Sequence, residues 1–353
     1  MLGLLMVASS SIEVASDQIG GPFGFAFKHF IFLILAVIFG VISFFIPTRW
    51  WYRYSTYFLM GSIALLGMIL IPGVGHTVKG ATRWLSFGFF SLQPSEIAKF
   101  TMMLFLAAYL VRRLEEVRSQ FFGFFKPILI FALIGILLLR EPDFATFFVL
   151  TFAVMGVLLL AGAPLTQYIM IAITLLSGLA YLALTEDYRL ERIEAFFRPW
   201  EHRFGSGYQL TQALLAFGRG ELFGLGLGNS IQKLFYLPEA HTDFVFAILA
   251  EELGLIGALA TLSLMAVLVW RGFLIGRLAE LSGRPFAAYL TYGLILIIAI
   301  QMSLNLAVNI GLAPTTGITL PLLSYGGSSL VMTTVSLGVI SRISADTFNG
   351  EIN

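Results

Sequence analysis

The stretch Tyr236-Leu-Pro-Glu-Ala-His-Thr-Asp-Phe-Val-Phe-Ala-Ile-Leu-Ala-Glu-Glu-Leu-Gly254 gathers four carboxylates, a His and a Thr where a polar segment runs into a long apolar one. That puts titratable groups where a membrane would meet water, and one step inside it. An ionisable group inside an apolar span is costly, which makes it a functional candidate by default. Asp243 also has a plainer reading, because it stands where a helix would start and Asp is a favoured N-cap. Glu251 falls roughly 12 Å further along that helix. It and Glu252 either pair with a buried Lys or Arg or serve a function, and residue types alone leave both open.

Basic and aromatic counterparts lie elsewhere. Lys99 follows Glu96 by three residues, so the two share a helix face. Lys99 can snorkel to headgroups, pair with Glu96, or meet an anionic group such as a pyrophosphate. Arg83-Trp84, with Lys79 nearby, reads as an interfacial pair or as a seat for a phosphorylated or sugar ligand. The G-x-G-x-G run within Gly218–Gly228 has no strand–helix unit around it and reads as a tight loop rather than a nucleotide site. Pro314–Leu330 is too rich in Pro and Gly for a simple helix. Irregular backbone at membrane depth persists only where it is buried in protein or lines a cavity, so this segment is expected to wall a polar cavity. The four His residues show no zinc-type spacing.

The elements that must position these groups are hydrophobic helices. The chain is 58% hydrophobic and 12% charged, where soluble domains carry about 25% charged residues. Its apolar runs approach or exceed the ~20 residues that cross a bilayer as a helix. An all-α polytopic membrane protein follows, and the lack of apolar–polar alternation excludes a β-barrel. A net charge of +1 gives no footing for nucleic acid, and the absence of Cys removes disulfides and thiolate sites. The expected spans are Met1–Val14 (the second half of a truncated first helix), Phe30–Pro47, Ser55–Pro72, Glu96–Val111, Pro127–Leu139, Phe144–Ala161, Thr166–Leu184, Asp243–Trp270, Phe286–Leu312 and about Tyr325–Ser341. Asp17–His29 and Gly73–Ser95 read as loops. That makes about ten transmembrane helices in a single domain, residues 1–353, with one large loop at residues 185–241. Lys and Arg favour one set of short loops over the other by ten to four. The positive-inside rule then places the C-terminus in the cytoplasm and the large loop outside.

Several ordered motifs resemble the SEDS family of peptidoglycan glycan-strand polymerases. They are Gly80-Ala-Thr-Arg-Trp-Leu85, Gln93-Pro-Ser-Glu-Ile-Ala-Lys99, Pro142-Asp143, Phe204-Gly-Ser-Gly-Tyr-Gln-Leu210, Gly226-Leu-Gly-Asn-Ser230, Leu237–Phe244 and Leu320–Leu330. Ala216–Glu221, Asn229–Lys233 and Tyr236–His241 look like the cell-division branch rather than the elongation branch. The resemblance implies polymerisation of lipid II, an undecaprenyl-pyrophosphate disaccharide pentapeptide, at the outer face of the bacterial cytoplasmic membrane at the division septum. It also implies a class B penicillin-binding protein transpeptidase and other division proteins as partners. The essential family Asp falls on Asp243. Arg83, Trp84, Gln93, Glu96, Lys99, Lys233, Glu239, His241, Thr242 and Ser324 are the expected substrate-binding set, with Arg83, Lys99 and Lys233 facing the pyrophosphates. Asp243 would act as base or would hold Mg²⁺ or Mn²⁺, and no organic cofactor is expected. Thr316 stands where division members often carry Lys, and Glu141 where Gln is usual before Pro142-Asp143. A lipid II flippase, or an elongation-type polymerase, is the alternative reading. A flippase calls for polar groups along the full depth of its path, and Glu251 and Glu252 are the sequence's hint of them.

Overall fold

The computed structural model describes residues 1–19, 21–78, 81–86, 88, 90–185 and 187–348. Twelve helices and one small sheet are present among them. The helices are α1 (Leu2–Ile19), α2 (Gly24–Phe45), α3 (Thr48–Ile69), α4 (Pro94–Ser119), α5 (Phe121–Arg140), α6 (Phe144–Leu160), α7 (Leu165–Leu184), α8 (Asp187–Phe197), α9 (Tyr208–Gly220), α10 (Val245–Leu281), α11 (Pro285–Asn309) and α12 (Gly327–Phe348). Six of them, α2, α5, α7, α10, α11 and α12, are long and apolar enough to cross a membrane. Large apolar side chains such as Phe30, Ile34 and Ile38 on α2 and Ile169 and Ile173 on α7 lie exposed. A water-facing surface would not carry such faces, whereas lipid suits them. The chain is a multi-pass membrane protein.

Each of the ten expected spans meets a helix, and several helices, among them α1, α4, α5, α10 and α12, run past the apolar stretch that marks them. α1 continues to Ile19 and α2 begins at Gly24, so most of the expected loop Asp17–His29 is helical. α3 starts at Thr48, directly after Pro47, and takes in Arg49, Trp50, Trp51 and Arg53. These residues suit the membrane interface, and nothing among them stops a helix. The expected loop 73–95 holds an antiparallel meander of β1 (Gly75–Val78), β2 (Ala81–Ser86) and β3 (Ser91–Leu92). Thr77, Val78, Thr82, Trp84 and Leu85 favour strands, and the short polar composition hid that preference. The expected loop 185–241 contains α8 and α9.

The chain divides into two compact units. One comprises Leu35–Ser177, Val269–Ile300 and Gly327–Asn353. Its centre is α4, whose residues Met102, Met103, Leu104, Leu106 and Leu110 are fully enclosed. Thr101 on α4 donates to Ser62 of α3 at 2.7 Å. Small residues bring helices close: a Cβ at Gly40 of α2 would meet Thr334 of α12 at 2.8 Å, and one at Gly293 would meet Met103 at 2.9 Å.

The other unit comprises Met1–Ile34, Gly178–Leu268 and Gln301–Gly326. Its organising feature is a break in α10 at Gly254, where φ is 68°. Loop backbone supplies the hydrogen bonds that the broken helix lacks. Leu225 and Gly226 donate to the carbonyls of Glu251 and Glu252 at 3.0 and 2.9 Å. Leu255 and Ile256 donate to Glu221 and Leu222 at 2.9 and 3.2 Å. Of the Gly218–Gly228 run read as a tight loop, Gly218–Gly220 closes α9 and the rest forms this clasp.

Candidate functional site

Asp243 sits half-buried in the turn that leads into α10. The turn is built by Glu239, whose φ of 59° reverses the chain. The Glu239 carbonyl accepts from the Thr242 and Phe244 N–H groups at 3.1 and 3.2 Å. The Thr242 hydroxyl donates to the Glu239 carboxylate at 2.6 Å, so these two expected substrate contacts hold one another. His241 is buried against Phe25 and Tyr325, with ring centroids 4.8 and 5.8 Å away, and its carbonyl accepts from the Tyr325 N–H at 2.9 Å.

The segment after α11 comes to this turn. A Cβ built on Gly317 would lie 3.7 Å from Asp243 Oδ2. Ser324 is buried and its hydroxyl accepts from the Leu320 N–H at 2.8 Å, which folds the segment back on itself. The irregular backbone expected here is therefore present, and it runs past the Asp243 carboxylate.

Three residues that residue types alone did not flag hold this arrangement. Gln301, Asn305 and Asn309 are buried on α11. Asn305 Nδ2 donates to the carbonyls of Asp243 and Ile318, and Asn309 Nδ2 donates to the carbonyl of Asp243. The Asn309 Oδ1 accepts from the Ala247 N–H in the first turn of α10 at 3.1 Å, a capping role that the sequence suggested for Asp243. The missed signal was the i, i+4, i+8 spacing of amides in an otherwise apolar helix.

Glu251 and Glu252 are fully buried. Glu251 accepts from the N–H groups of Ile231 and Gln232 at 3.2 and 3.3 Å and from the Ser230 hydroxyl. Glu252 pairs with Lys233 at 2.9 Å and accepts from Ser9 at 2.6 Å. Lys233 Nζ also donates to Ser9 Oγ and to the Gly228 carbonyl, at 3.0 and 2.7 Å. Its three protons are thus engaged inside the protein, not offered to a diphosphate. The polar path suggested by the two glutamates is an internal network that ties the loop and α1 to α10.

The remaining expected residues lie in the unit centred on α4. Lys99 pairs with Glu96 at 2.9 Å, and both are buried. The Gln93 side chain does not cap α4; it donates to Ser95 at 3.1 Å, and the Gln93 N–H donates to Ser328 at 3.0 Å. Trp84 lies on β2 opposite His76. Arg83, also on β2, donates to the carbonyls of Glu141 and Pro142 and stands 3.8 Å from Asp143. Lys79 lies outside the described residues. Glu141 fills the corner between α5 and α6, and neither carboxylate oxygen has a hydrogen-bond partner among the described residues. Burial first, and then the neighbouring Asp143 carboxylate, push its carboxyl up to about 8, against the opposing pull of Arg83.

These features define a multi-pass helical membrane protein with an Asp held in a hydrogen-bonded turn at the mouth of a span. Residues 1–349 match the FtsW, RodA and SpoVE family, described as "Cell cycle protein", and the chain belongs to that family. It is 47% identical over 350 residues to the probable peptidoglycan glycosyltransferase FtsW of Hahella chejuensis, covering 99% of this chain and 88% of that protein. It is 49% identical over 349 residues to the protein of the same name from Halomonas elongata, covering 98% and 88%. Among solved structures, it matches the Thermus thermophilus Rod shape determining protein RodA with a TM-score of 0.70 at 27% identity, covering 98% of this chain and 95% of that one. A chain described under "Structural coordination of polymerization and crosslinking by a peptidoglycan synthase complex" matches with a TM-score of 0.77 at 26% identity, covering 98% and 96%.

Proposed function

We propose that this chain is a peptidoglycan glycosyltransferase that polymerises lipid II during septal wall synthesis. The observation that carries the reading is the near-full-length identity to relatives named for that activity, with Asp243 set in a hydrogen-bonded turn at the mouth of α10. In glycosyl transfer an acceptor hydroxyl attacks the anomeric carbon as the bond to the pyrophosphate breaks. Asp243 takes the hydroxyl proton, and its fixed turn sets the direction of that transfer. Among the described residues no three His, Asp or Glu side chains converge into a cage for a metal. A divalent cation would take Asp243 as its protein ligand and pyrophosphate oxygens besides, as suits Mg²⁺. Such an ion would neutralise the departing diphosphate. Arg83, Trp84 and the Glu96–Lys99 pair are the remaining candidates for substrate contact.

In this reading the protein works at the septum in the cytoplasmic membrane, and the Lys and Arg bias of the short loops supports residues 185–241 outside and the C-terminus in the cytoplasm. A class B penicillin-binding protein is the partner that this activity calls for, since new strands need crosslinking. The test is polymerisation of purified lipid II by the chain co-purified with its cognate transpeptidase, with Mg²⁺ or Mn²⁺ present and absent, and with Asp243→Ala alongside. Long strands from the native protein and none from a folded variant support the reading. No strands from either protein, with lipid II still crossing proteoliposome membranes, would support the flippase instead.

A further inference from the structure

Three amide side chains recur every fourth residue on α11, and all three are buried: Gln301 is 4% exposed, Asn305 1% and Asn309 0%. A buried amide without partners is costly, so such a stripe persists only where its bonds are made. Outside its own helix the stripe bonds to the turn that opens α10 and to the irregular segment after α11. Asn305 Nδ2 donates to the Asp243 carbonyl at 2.8 Å and to the Ile318 carbonyl at 2.6 Å. Asn309 Nδ2 donates to the same Asp243 carbonyl at 2.9 Å, while its Oδ1 accepts from Ala247. Gln301 Nε2 donates to the Thr319 carbonyl at 3.1 Å. Asn309 Nδ2 also donates to the Asn305 carbonyl at 2.9 Å, which ties the Asn309 rotamer to its own helix.

We propose that Asn305 and Asn309 are positioning residues for glycosyl transfer: together they fix the Asp243 main chain, and Asn305 holds the Gly317–Ile318 backbone beside the Asp243 carboxylate. This rests on the reading of Asp243 as the catalytic carboxylate. The geometry explains why the pairing is made by amides and not by packing. One Asn305 side chain spans two carbonyls from segments far apart in sequence, so the distance between the turn and the segment is set by a single NH₂ group. The two donors on one Asp243 carbonyl remove its freedom to rotate about the turn, and the carboxylate follows. Gly317, with φ of 78°, leaves room beside that carboxylate for a substrate group.

The test uses the full chain co-purified with its transpeptidase and follows polymerisation of lipid II over a concentration range. Asn305→Leu and Asn309→Leu keep side-chain size and remove the donors. Val308→Ala is the control: it opens a cavity at a buried position of the same helix with no bond to Asp243. The expected result is a fall in kcat of about tenfold or more for each Leu variant, the loss of roughly one hydrogen bond to a reacting group's anchor. KM for lipid II stays within about twofold, and Val308→Ala loses thermal stability but keeps its kcat. If the Leu variants do not fold, Asn309→Asp carries the test. It keeps the shape and returns an O–H donor only when protonated, so its rate relative to the native protein falls as pH rises. Near-native kcat in the Leu variants, an equal loss in Val308→Ala, or an unshifted pH profile in Asn309→Asp would each overturn the inference. An active Asp243→Ala would instead sink the functional reading beneath it.

Discussion

The Lys233 ammonium stands 2.9 Å from the Glu252 carboxylate, and both groups are closed off from solvent. Removing one partner of a buried pair leaves the other charge uncompensated, at a cost of about 3–5 kcal/mol, whereas replacing both is often neutral. Lys233→Met is therefore expected to lower the apparent melting temperature in detergent sharply. Lys233→Met combined with Glu252→Gln should recover most of the stability and the polymerisation rate. A double variant that is stable yet has a raised KM for lipid II would return Lys233 to the substrate.

That pair also shows how far the sequence can be read. Apolar runs mark ten segments that each meet a helix, and six of those helices are long and apolar enough to cross a bilayer. The turn at Asp243 stands out because a carboxylate beside an apolar run is rarely idle. What the sequence does not show is who meets whom. Lys233 and Glu252 are 19 residues apart on either side of a chain reversal, and Ser9 joins them from α1. Asn305 and Asn309 carry no charge, so attention to titratable groups misses them. The meander at residues 75–92 is hidden because its strands are short and flanked by polar residues. The Gly254 break is invisible for a different reason: a Gly within an apolar run only hints at a bend, and the clasp that needs it comes from residues 221–226.

Gly254 offers the next test. Its φ of 68° is costly for any residue with a Cβ, and a Cβ there would fall on the backbone of Gly224 and Leu222. Gly254→Ala is expected to destabilise by more than the roughly 1 kcal/mol of the conformational penalty alone. The clasp should loosen first. Backbone hydrogen exchange at Leu225 and Gly226 should speed up before exchange in α4 does. Uniform exchange across both would mean that the break carries no special tension.

The side of the membrane can be read by chemistry. The chain contains no Cys, so a single introduced thiol reports cleanly. Glu201 is exposed in the segment between α8 and α9. Glu201→Cys should react with an impermeant maleimide added outside intact spheroplasts. A Cys introduced at Arg284, in the turn between α10 and α11, should react only after lysis. The reverse pattern would invert the topology derived from the Lys and Arg bias.

Glu141 gives a pH-dependent prediction whose sign can be worked out. Its carboxyl, ordinarily near 4.5, is held up to about 8 by burial and by Asp143. In the unfolded chain Glu141 gives up its proton as pH rises through the ordinary carboxylate range, whereas in the folded protein it keeps that proton until about pH 8. Between those limits the folded state binds more protons, so this residue's contribution to stability falls as pH rises. Gln has the shape of the neutral acid and no proton to lose. Glu141→Gln should therefore match the native melting temperature at pH 4 and exceed it increasingly up to pH 8. The gain at pH 7 is bounded at about 3 kcal/mol, since a tenfold change in proton affinity is worth about 1.4 kcal/mol and relaxation around the site reduces it. The measurement is a series of melting curves of both proteins in one detergent from pH 4 to pH 9. A constant offset across the series would show that Glu141 is ionised in the folded protein, balanced by Arg83 after all. A gap that opens with pH would identify a neutral acid in the corner between α5 and α6. That corner is the one Arg83 grips through the carbonyls of Glu141 and Pro142.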